Sequence, residues 1–327
     1  MPFSSPSFWN KKRGAVSKIL SPLAALYAFA GRVRRQKAKP YEAKIPVICI
    51  GNLMMGGVGK TPLAVSFAEF YKINGKKPVF LTRGYGGGLT GVLVDLDKHT
   101  AKDVGDEALL LARVTPTIVD SDRKRGAKYA ERLGADLIIM DDGFQNPHLR
   151  KDFSVVVFDG RLGRGNGCVF PAGPLREPMK DGLARADAFL IVGRDKTALR
   201  ERIERDFPEL PFFATHVEQD AAVISSLDGA RALAFAGIGL PEKFFDMLKE
   251  YGVNLVATKA FPDHYAYTDA DLYRLVEEAS RLDAVLLTTS KDYVRVPAAF
   301  RDRVREIPAY MVWDTTDALM TALRRFC

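Results

Sequence analysis

The 327-residue sequence has few of the residues that cross-link a fold or gather a metal. Its three cysteines, Cys49, Cys168 and Cys327, are odd in number, far apart and without a C-x-x-C pair. That excludes a disulfide framework and a cysteine-based zinc site, and it fits a reducing compartment. The histidines, His99, His148, His216 and His264, are equally dispersed, so no clustered metal centre is expected. A long apolar run is also missing from the N-terminal segment: Ile19 to Gly31 spans 13 residues and contains Pro22, short of the roughly 18 that a spanning helix needs. No small-residue cleavage site follows it, only Arg32, Arg34 and Arg35, so a signal peptide is excluded and retention in the cytoplasm is expected.

The body of the chain also lacks any excess of charge of one sign. The formal net charge is +8, which invites a nucleic-acid partner, but ten basic side chains and one acid, Glu42, fall within residues 1–44. The rest carries 38 basic and 39 acidic residues. A basic footprint confined to one arm, with no groove-reading motif, argues against nucleic acid. Within the arm, Ser21 and Pro22 fit an N-cap and first helical position, and Leu23, Leu26, Tyr27, Ala30 and Val33 recur at helical spacing. With Phe8 and Trp9 upstream, two readings stand side by side: a cation-rimmed helix in an anionic membrane interface, or a helix packed on the body with a solvated basic tail.

What is present is a 47% hydrophobic composition, enough for one large or two moderate domains. Short β-rich runs alternate with helical stretches, the pattern of a mostly parallel α/β sheet flanked by helices. Strands are expected at Val47–Ile50, Pro78–Thr82, Thr117–Val119, Leu137–Met140, Ser154–Phe158 and Ala188–Val192. A second series is expected at Ala232–Ala236, Val253–Ala257, Ala284–Thr288 and Ala309–Val312. The proline-bearing, polar stretch 207–228 separates them. The expected organisation is an arm over 1–44, a P-loop core over 45–217 and a smaller α/β domain over 218–327.

The first strand runs into Gly51-Asn52-Leu53-Met54-Met55-Gly56-Gly57-Val58-Gly59-Lys60-Thr61-Pro62 and then an apolar-periodic helix. Strand, glycine-rich turn and a helix opening at Lys-Thr are the context of a P-loop. Backbone N–H groups of Gly56, Gly57, Val58 and Gly59 converge on phosphate oxygens, Lys60 reaches the β- and γ-phosphates, and the Thr61 hydroxyl can ligate Mg²⁺. Met54 stands where the strict pattern has glycine, and the pair Gly56-Gly57 makes the loop similar to the variant loops of partitioning ATPases and dethiobiotin synthetases. The apolar run 137–140 ends in Asp141-Asp142, the acid that such a site places at a strand end to hold the metal or its water; a cap for the following turn is the other use of these carboxylates. Gly237-Ile238-Gly239 only half-matches a dinucleotide fingerprint and reads as a tight turn. No N/T-K-x-D motif occurs, which favours ATP over GTP.

A phosphotransferase also needs a base for the acceptor and cations for the moving phosphoryl group. Loop candidates are Arg83, Asp106, Arg123, Arg176 and the pair Asp263-His264. These fragments occur in one order: Gly51-Asn52 with Gly56 to Pro62, Arg83-Gly84-Tyr85-Gly86, Gly105-Asp106-Glu107, Asp141-Asp142-Gly143-Phe144-Gln145, Pro171 to Pro178, Phe261 to Tyr265, and Thr288 to Arg295. In that series the chain resembles the tetraacyldisaccharide 4'-kinases of lipid A biosynthesis over nearly its whole length. The resemblance implies transfer of the ATP γ-phosphate to the 4'-hydroxyl of a tetraacylated glucosamine disaccharide 1-phosphate, by a peripheral enzyme at the cytoplasmic face of the inner membrane. It implies Lys60 and Thr61 for ATP and Mg²⁺, Asp106 as the acid that activates the acceptor, His264 as its partner, and Asp141 and Asp142 at the metal end. Gln145, Arg123 and Arg176 then line the cleft, with Asn52, Arg83, Glu107 and Asp263 beside them. Met54, Asn146 and Ser290 depart from the family's usual residues. Asp106 and His264 fall in different expected domains, so their pairing requires domain closure; a monomer is expected. The reading from another class is a membrane-recruited P-loop ATPase switch of the partitioning type, which the P-loop fits equally well.

Overall fold

A computed structural model describes residues 6–314 and 317–327; the first five residues of the arm lie outside the described residues. The strands are β1 (Val47–Gly51), β2 (Pro78–Thr82), β3 (Val92–Leu93), β4 (Thr117–Val119), β5 (Leu137–Asp141), β6 (Phe153–Asp159), β7 (Ala188–Val192), β8 (Phe212–Gln219), β9 (Arg231–Ala236), β10 (Asn254–Ala260), β11 (Val285–Thr289), β12 (Arg305–Ile307) and β13 (Ala309–Trp313). A nine-stranded sheet has the order β13-β8-β7-β6-β1-β5-β2-β4-β3. It is parallel except at its two edges, where β13 runs antiparallel to β8 and β3 antiparallel to β4. A second sheet, β10-β9-β11-β12, is wholly parallel.

Alternate residues of the central strands feed two cores. Val47, Cys49, Ile138, Met140, Val156 and Phe158 face one side; Ile48, Ile50, Leu137, Ile139, Val155 and Val157 face the other. Strands buried on both faces read as unbroken apolar runs, which is why β1, β5, β6 and β7 were legible. The helix Lys60–Ile73 lays Leu63, Ala64, Phe67, Ala68 and Tyr71 on the second core, each large side chain contributing roughly 1.5–3 kcal/mol of burial. Because β1 lies between β5 and β6, connections leave in opposite directions at its carboxyl end. That end is the switch point, where α/β sheets bind ligands.

Two expectations are corrected. The strand at Ala309 does not belong with the second sheet: β13 pairs with β8 and returns the chain to the large one. Its partner lies in the stretch taken as a connector, because β8 is an outer strand carrying Thr215, His216 and Glu218 rather than an apolar run. The smaller domain expected over 218–327 therefore loses its last segment. Met311 and Trp313 pack on the helix Lys60–Ile73, with Trp313 Nε1 donating to Ser66 Oγ at 2.9 Å. Leu319 and Leu323 are fully buried in the same core, and the Leu323 carbonyl accepts from Tyr71 Oη at 2.9 Å.

The arm differs in its start. Its helix spans Ala15–Lys37 with Gly14 as N-cap, so Ser21 and Pro22 lie inside it rather than opening it. The Ser21 hydroxyl donates to the Ser17 carbonyl at 2.9 Å and accepts from Arg13, local bonding that accompanies the donor lost at Pro22. The arm is docked: Trp9 is 2% exposed, its Nε1 donates to the Pro171 carbonyl, and Asn166 Nδ2 donates to Ser17 Oγ at 3.0 Å. Val16, Ile19, Leu23, Leu26 and Phe29 remain exposed. Among the described residues, no helix is long and apolar enough to cross a membrane.

If the last segment is integral to the large domain, Leu323→Ala costs about 2–5 kcal/mol in urea unfolding. A loss under about 0.5 kcal/mol, as for a surface tail, contradicts that packing.

Candidate active site

The loop after β1 is shaped by its glycines and pinned from the side. Gly59, immediately before the helix Lys60–Ile73, holds φ +84°, and Gly56 holds φ +112°, a region that favours glycine. Met54, at the atypical position, is 3% exposed and packs in the core beside Leu175. The Met55 N–H donates to the Pro174 carbonyl at 2.8 Å, and the Arg176 N–H to the Leu53 carbonyl at 2.7 Å. The segment 168–176 thus supplies the support that the side chain of Met54 anchors, and the departure is a packing substitution.

Asp141, the last residue of β5, stands in register with Ile50 of β1. It is 1% exposed, and its Oδ1 is buried without a hydrogen-bond partner. Burial, followed by the neighbouring Glu107 and Asp142 carboxylates, pushes it up to about 7 against the opposing pull of Lys60 and Arg123. Asp142 behaves oppositely. At φ 51° it turns out of the strand and meets Arg176 through both oxygens, at 2.8 and 3.1 Å, with Lys60 Nζ at 3.7 Å. Burial alone would raise it, but Lys60 and Arg176 outweigh that and hold it below the usual carboxylate range. Asp142 is thus oriented by charge rather than by capping the following turn.

Gln145 Nε2 donates to the Asn52 carbonyl at 2.9 Å and to Glu177 Oε1 at 3.2 Å, while its Oε1 accepts from Arg176 at 3.3 Å. Glu177, 2% exposed and not singled out from the sequence, is paired with Arg185 at 2.9 Å and with Arg35 of the N-terminal helix at 3.2 Å. Arg123 differs from the expectation of a cleft-lining side chain. It is 3% exposed, and its Nη1 donates to the Asp120 carbonyl at 2.7 Å, so it lends its charge to Asp141 and Asp142 from within the protein. Arg83 is exposed.

The two sheets meet at Asp106. The short helix Asp106–Ala112 begins after Gly105, whose φ is +86°, and a Cβ on Gly87 would fall 2.6–2.8 Å from backbone atoms of 103–105. The Arg83-Gly84-Tyr85-Gly86 loop therefore fixes where this helix starts. Asp106 Oδ1 accepts from the Glu107 N–H, and Oδ2 lies 3.0 Å from His264 Nδ1. His264 sits at φ 58° in the turn after β10, its N–H donating to the Gly237 carbonyl; the glycine pair after β9 is the tight turn expected. Asp263 Oδ2 is 3.8 Å from His264 Nε2. Burial works to raise Asp106, but His264, Lys291 and Arg295 hold it down; the Asp106 bond raises His264. Consecutive residues thus serve two places, Asp106 toward His264 and Glu107 toward Asp141.

Two cations at this junction had no role assigned from the sequence. Lys291 Nζ lies 3.3 Å from His264 Nε2, and Arg295 Nε 3.8 Å from Asp106 Oδ2. They sit in the Thr288 to Arg295 fragment, whose Asp292 is fully buried and accepts from the Gly237 N–H, Tyr267 Oη and Arg295 Nη2. The signal available in the sequence was a polar cluster at the end of an apolar strand.

The residues present fit a divalent cation completed by phosphate oxygens. Asp141 offers an unpartnered buried oxygen within the field of Lys60, while the described residues contain no self-sufficient cluster of three or more metal ligands. Mg²⁺ is commonly held by one or two protein groups plus substrate oxygens. Because Asp141 is raised in the folded protein, its neutral form favours the fold, and that contribution fades as pH climbs from about 4 through about 7. Asp141→Asn is expected to raise the Tm of the nucleotide-free protein by at least about 3 °C at pH 8 and by less at pH 5; differential scanning fluorimetry at the two pH values checks this, and an equal or opposite shift contradicts it.

Comparison with known proteins points to one family. The family model described as Tetraacyldisaccharide-1-P 4'-kinase matches residues 16–326. A tetraacyldisaccharide 4'-kinase of Paramagnetospirillum magneticum is 47% identical over 316 residues, covering 96% of each chain. One from Rhodospirillum centenum is 44% identical over 320 residues, covering 96% of this chain and 94% of its own. Among solved structures, LpxK from Aquifex aeolicus in complex with ATP superposes with a TM-score of 0.78 at 27% identity, covering 95% of this chain and 99% of that one. The partitioning-type switch is not favoured by these relatives. With the P-loop, the paired acids and the ordered fragments on one scaffold, the chain belongs to the tetraacyldisaccharide 4'-kinase family.

Proposed function

We propose that this chain, as an ATP-dependent kinase of lipid A biosynthesis, transfers the γ-phosphate to the 4'-hydroxyl of a tetraacylated glucosamine disaccharide 1-phosphate, with Asp106 and His264 as the groups that take the hydroxyl proton. The observation that carries the assignment of the site is the 3.0 Å contact between Asp106 and His264, made across the two sheets beside Lys60, Asp141 and Asp142. The acceptor oxygen forms its bond to the γ-phosphorus as the bridging oxygen leaves with ADP, and the acceptor proton passes to the Asp106–His264 pair. Gly56 to Pro62 cradle the phosphates; Lys60 and Arg176, which face Asp142 in this structure, are the cations for the transferring group. Thr61, Asp141 and Asp142 would hold Mg²⁺, which supplies charge neutralisation at the phosphates when bound.

The acceptor has a polar head and four fatty tails, so it must be drawn from a bilayer surface. Support for peripheral attachment comes from the helix Ala15–Lys37: Ile19, Leu23, Leu26 and Phe29 are exposed while Trp9, Ser17 and Ala24 are buried against the body. Apolar residues rimmed by Lys and Arg suit an anionic interface. The cytoplasmic face of the inner membrane, where ATP is available, is the place this reading assigns. The two alternatives for the arm thereby combine, with one face docked and another turned outward.

In mixed micelles of the lipid acceptor with radiolabelled ATP, label is expected in the organic-extractable lipid; label found only as free phosphate sinks the kinase reading. Asp106→Ala and His264→Ala are each expected to lower kcat by about a hundredfold or more, and near-normal transfer by both would remove the pair from the mechanism. Ile19→Glu combined with Leu23→Glu and Leu26→Glu is expected to abolish co-sedimentation with anionic vesicles. Undiminished sedimentation of the triple variant would release the arm from that role.

A further inference from the structure

Among the charged groups around the site, Lys291 has a position that neither phosphate binding nor packing explains. It lies in the helix Ser290–Tyr293, just after β11, and its ammonium reaches both His264 Nε2 and the Asp106 carboxylate that meets Nδ1. Its Nζ is 3.3 Å from His264 Nε2, 3.9 Å from Asp106 Oδ2 and 3.9 Å from Asp263 Oδ1. Arg295 is the nearer brace of the same segment, and its donors are engaged. Nε donates to the Lys291 carbonyl, Nη1 to the Tyr265 carbonyl, and Nη2 to the Gly237 carbonyl and Asp292 Oδ1. Arg295 therefore ties the turn bearing His264 to the segment bearing Lys291, and the Lys291 ammonium is what that tie delivers to the imidazole.

Donor and acceptor chemistry then decides where the ring proton sits. An ammonium has only donors, so Nε2 opposite it must accept; an ionised carboxylate has only acceptors, so Nδ1 opposite Asp106 must donate. We propose that Lys291 is a positioning residue that fixes His264 as the neutral imidazole with its proton on Nδ1, directed at Asp106, and keeps a proton off Nε2. The inference rests on the reading of Asp106 and His264 as the groups that take the acceptor proton.

The groups facing the ring pull in opposite directions. Asp106, from the helix Asp106–Ala112, and Asp263, beside it in its own turn, favour the imidazolium; Lys291 opposes it, Arg295 stands behind Asp106, and Tyr85 from the glycine-rich loop meets the ring edge-on at 6.1 Å between centroids. The same protein contains a second histidine faced by carboxylates, with no cation paired against them. His216 has Asp314 at 2.8 Å on Nδ1 and Glu218 at 2.9 Å on Nε2, and its proton affinity is raised by those two carboxylates. Without Lys291, His264 keeps Asp106 and Asp263 and loses the cation that offsets them, so a proton affinity already raised by the Asp106 bond rises further. An imidazolium hydrogen-bonded to Asp106 leaves the pair unable to accept a further proton readily, so the acid limb of the rate profile shifts upward.

The test uses the full chain with the lipid acceptor in micelles, comparing wild type, Lys291→Met and Lys291→Arg. Lys291→Met is expected to lower kcat by about tenfold or more near pH 6.5, with the deficit narrowing to about threefold or less near pH 9; Lys291→Arg restores most of the loss at the lower pH. In ¹⁵N-labelled protein, long-range imidazole spectra should show the Nδ1–H tautomer of wild-type His264 at about pH 8, and in Lys291→Met an imidazolium persisting to higher pH. A pH-independent loss in Lys291→Met, normal rates at every pH, or an Nε2–H tautomer in wild type each overturns the proposal. The last is read without any variant having to fold. Normal transfer by His264→Ala would instead bring down the underlying pair, while the spectra would still report on the role of Lys291.

Discussion

Four carboxylates, Asp106, Glu107, Asp141 and Asp142, converge where β1 and β5 end, and the need to hold like charges together in a largely buried place governs the architecture around them. Left unneutralised they would not stay ionised, since burial and mutual repulsion both favour protonation. The protein divides them. Asp142 receives Lys60 and Arg176, and Asp106 receives His264 with Lys291 and Arg295. Asp141 is left with an oxygen that nothing satisfies. The ionised members are thus oriented in advance, while Asp141 keeps a buried acceptor to spare.

That division explains why distant segments must meet. The cation for Asp142 arrives on 171–178, which also braces the phosphate loop through the Met55 and Arg176 N–H groups. The partner of Asp106 arrives from the second sheet on a left-handed residue that only the Gly237 and Arg295 bonds make tenable. Glu177 extends the same network outward, joining Gln145 on one side and Arg35 of the docked helix on the other. The docked N-terminal helix and the glycine-rich loop after β1 are therefore separated by a few side chains.

Legibility in the sequence followed the range of the interactions. The strand–loop–helix after Val47 and the acids after Met140 were readable because their signals are local: apolar runs buried on both faces, glycines, and charges at a strand end. β8 was not, since an outer strand with Thr215, His216 and Glu218 carries little hydrophobic pattern and is defined by its pairing with β13 almost a hundred residues later. Ser21-Pro22 imitated a helix start because a proline in the first turn and one tolerated inside a helix look alike in sequence. Arg123 looked like a cleft residue from its loop position, and only burial shows it acting from beneath. Lys291 had no local signature, because its meaning lies in the distance to a ring 27 residues away.

The return of the chain in β13 makes the second sheet an insertion within the first domain, attached by two crossings instead of one. The crossings are stitched together: the Asp220 N–H donates to the Pro308 carbonyl at 2.9 Å, and Tyr310 Oη to Asp220 Oδ2 at 3.0 Å. A lobe hung from two separate points could rock only about the line through them, and one hung from a single strand could swivel freely. Two strands fastened at one place behave as a pivot with restricted twist, so any displacement of the lobe is smallest at the stitch and grows with distance toward His264. The distance between Asp106 and His264, one on each side of the stitch, is then tied to an angle set far from both side chains.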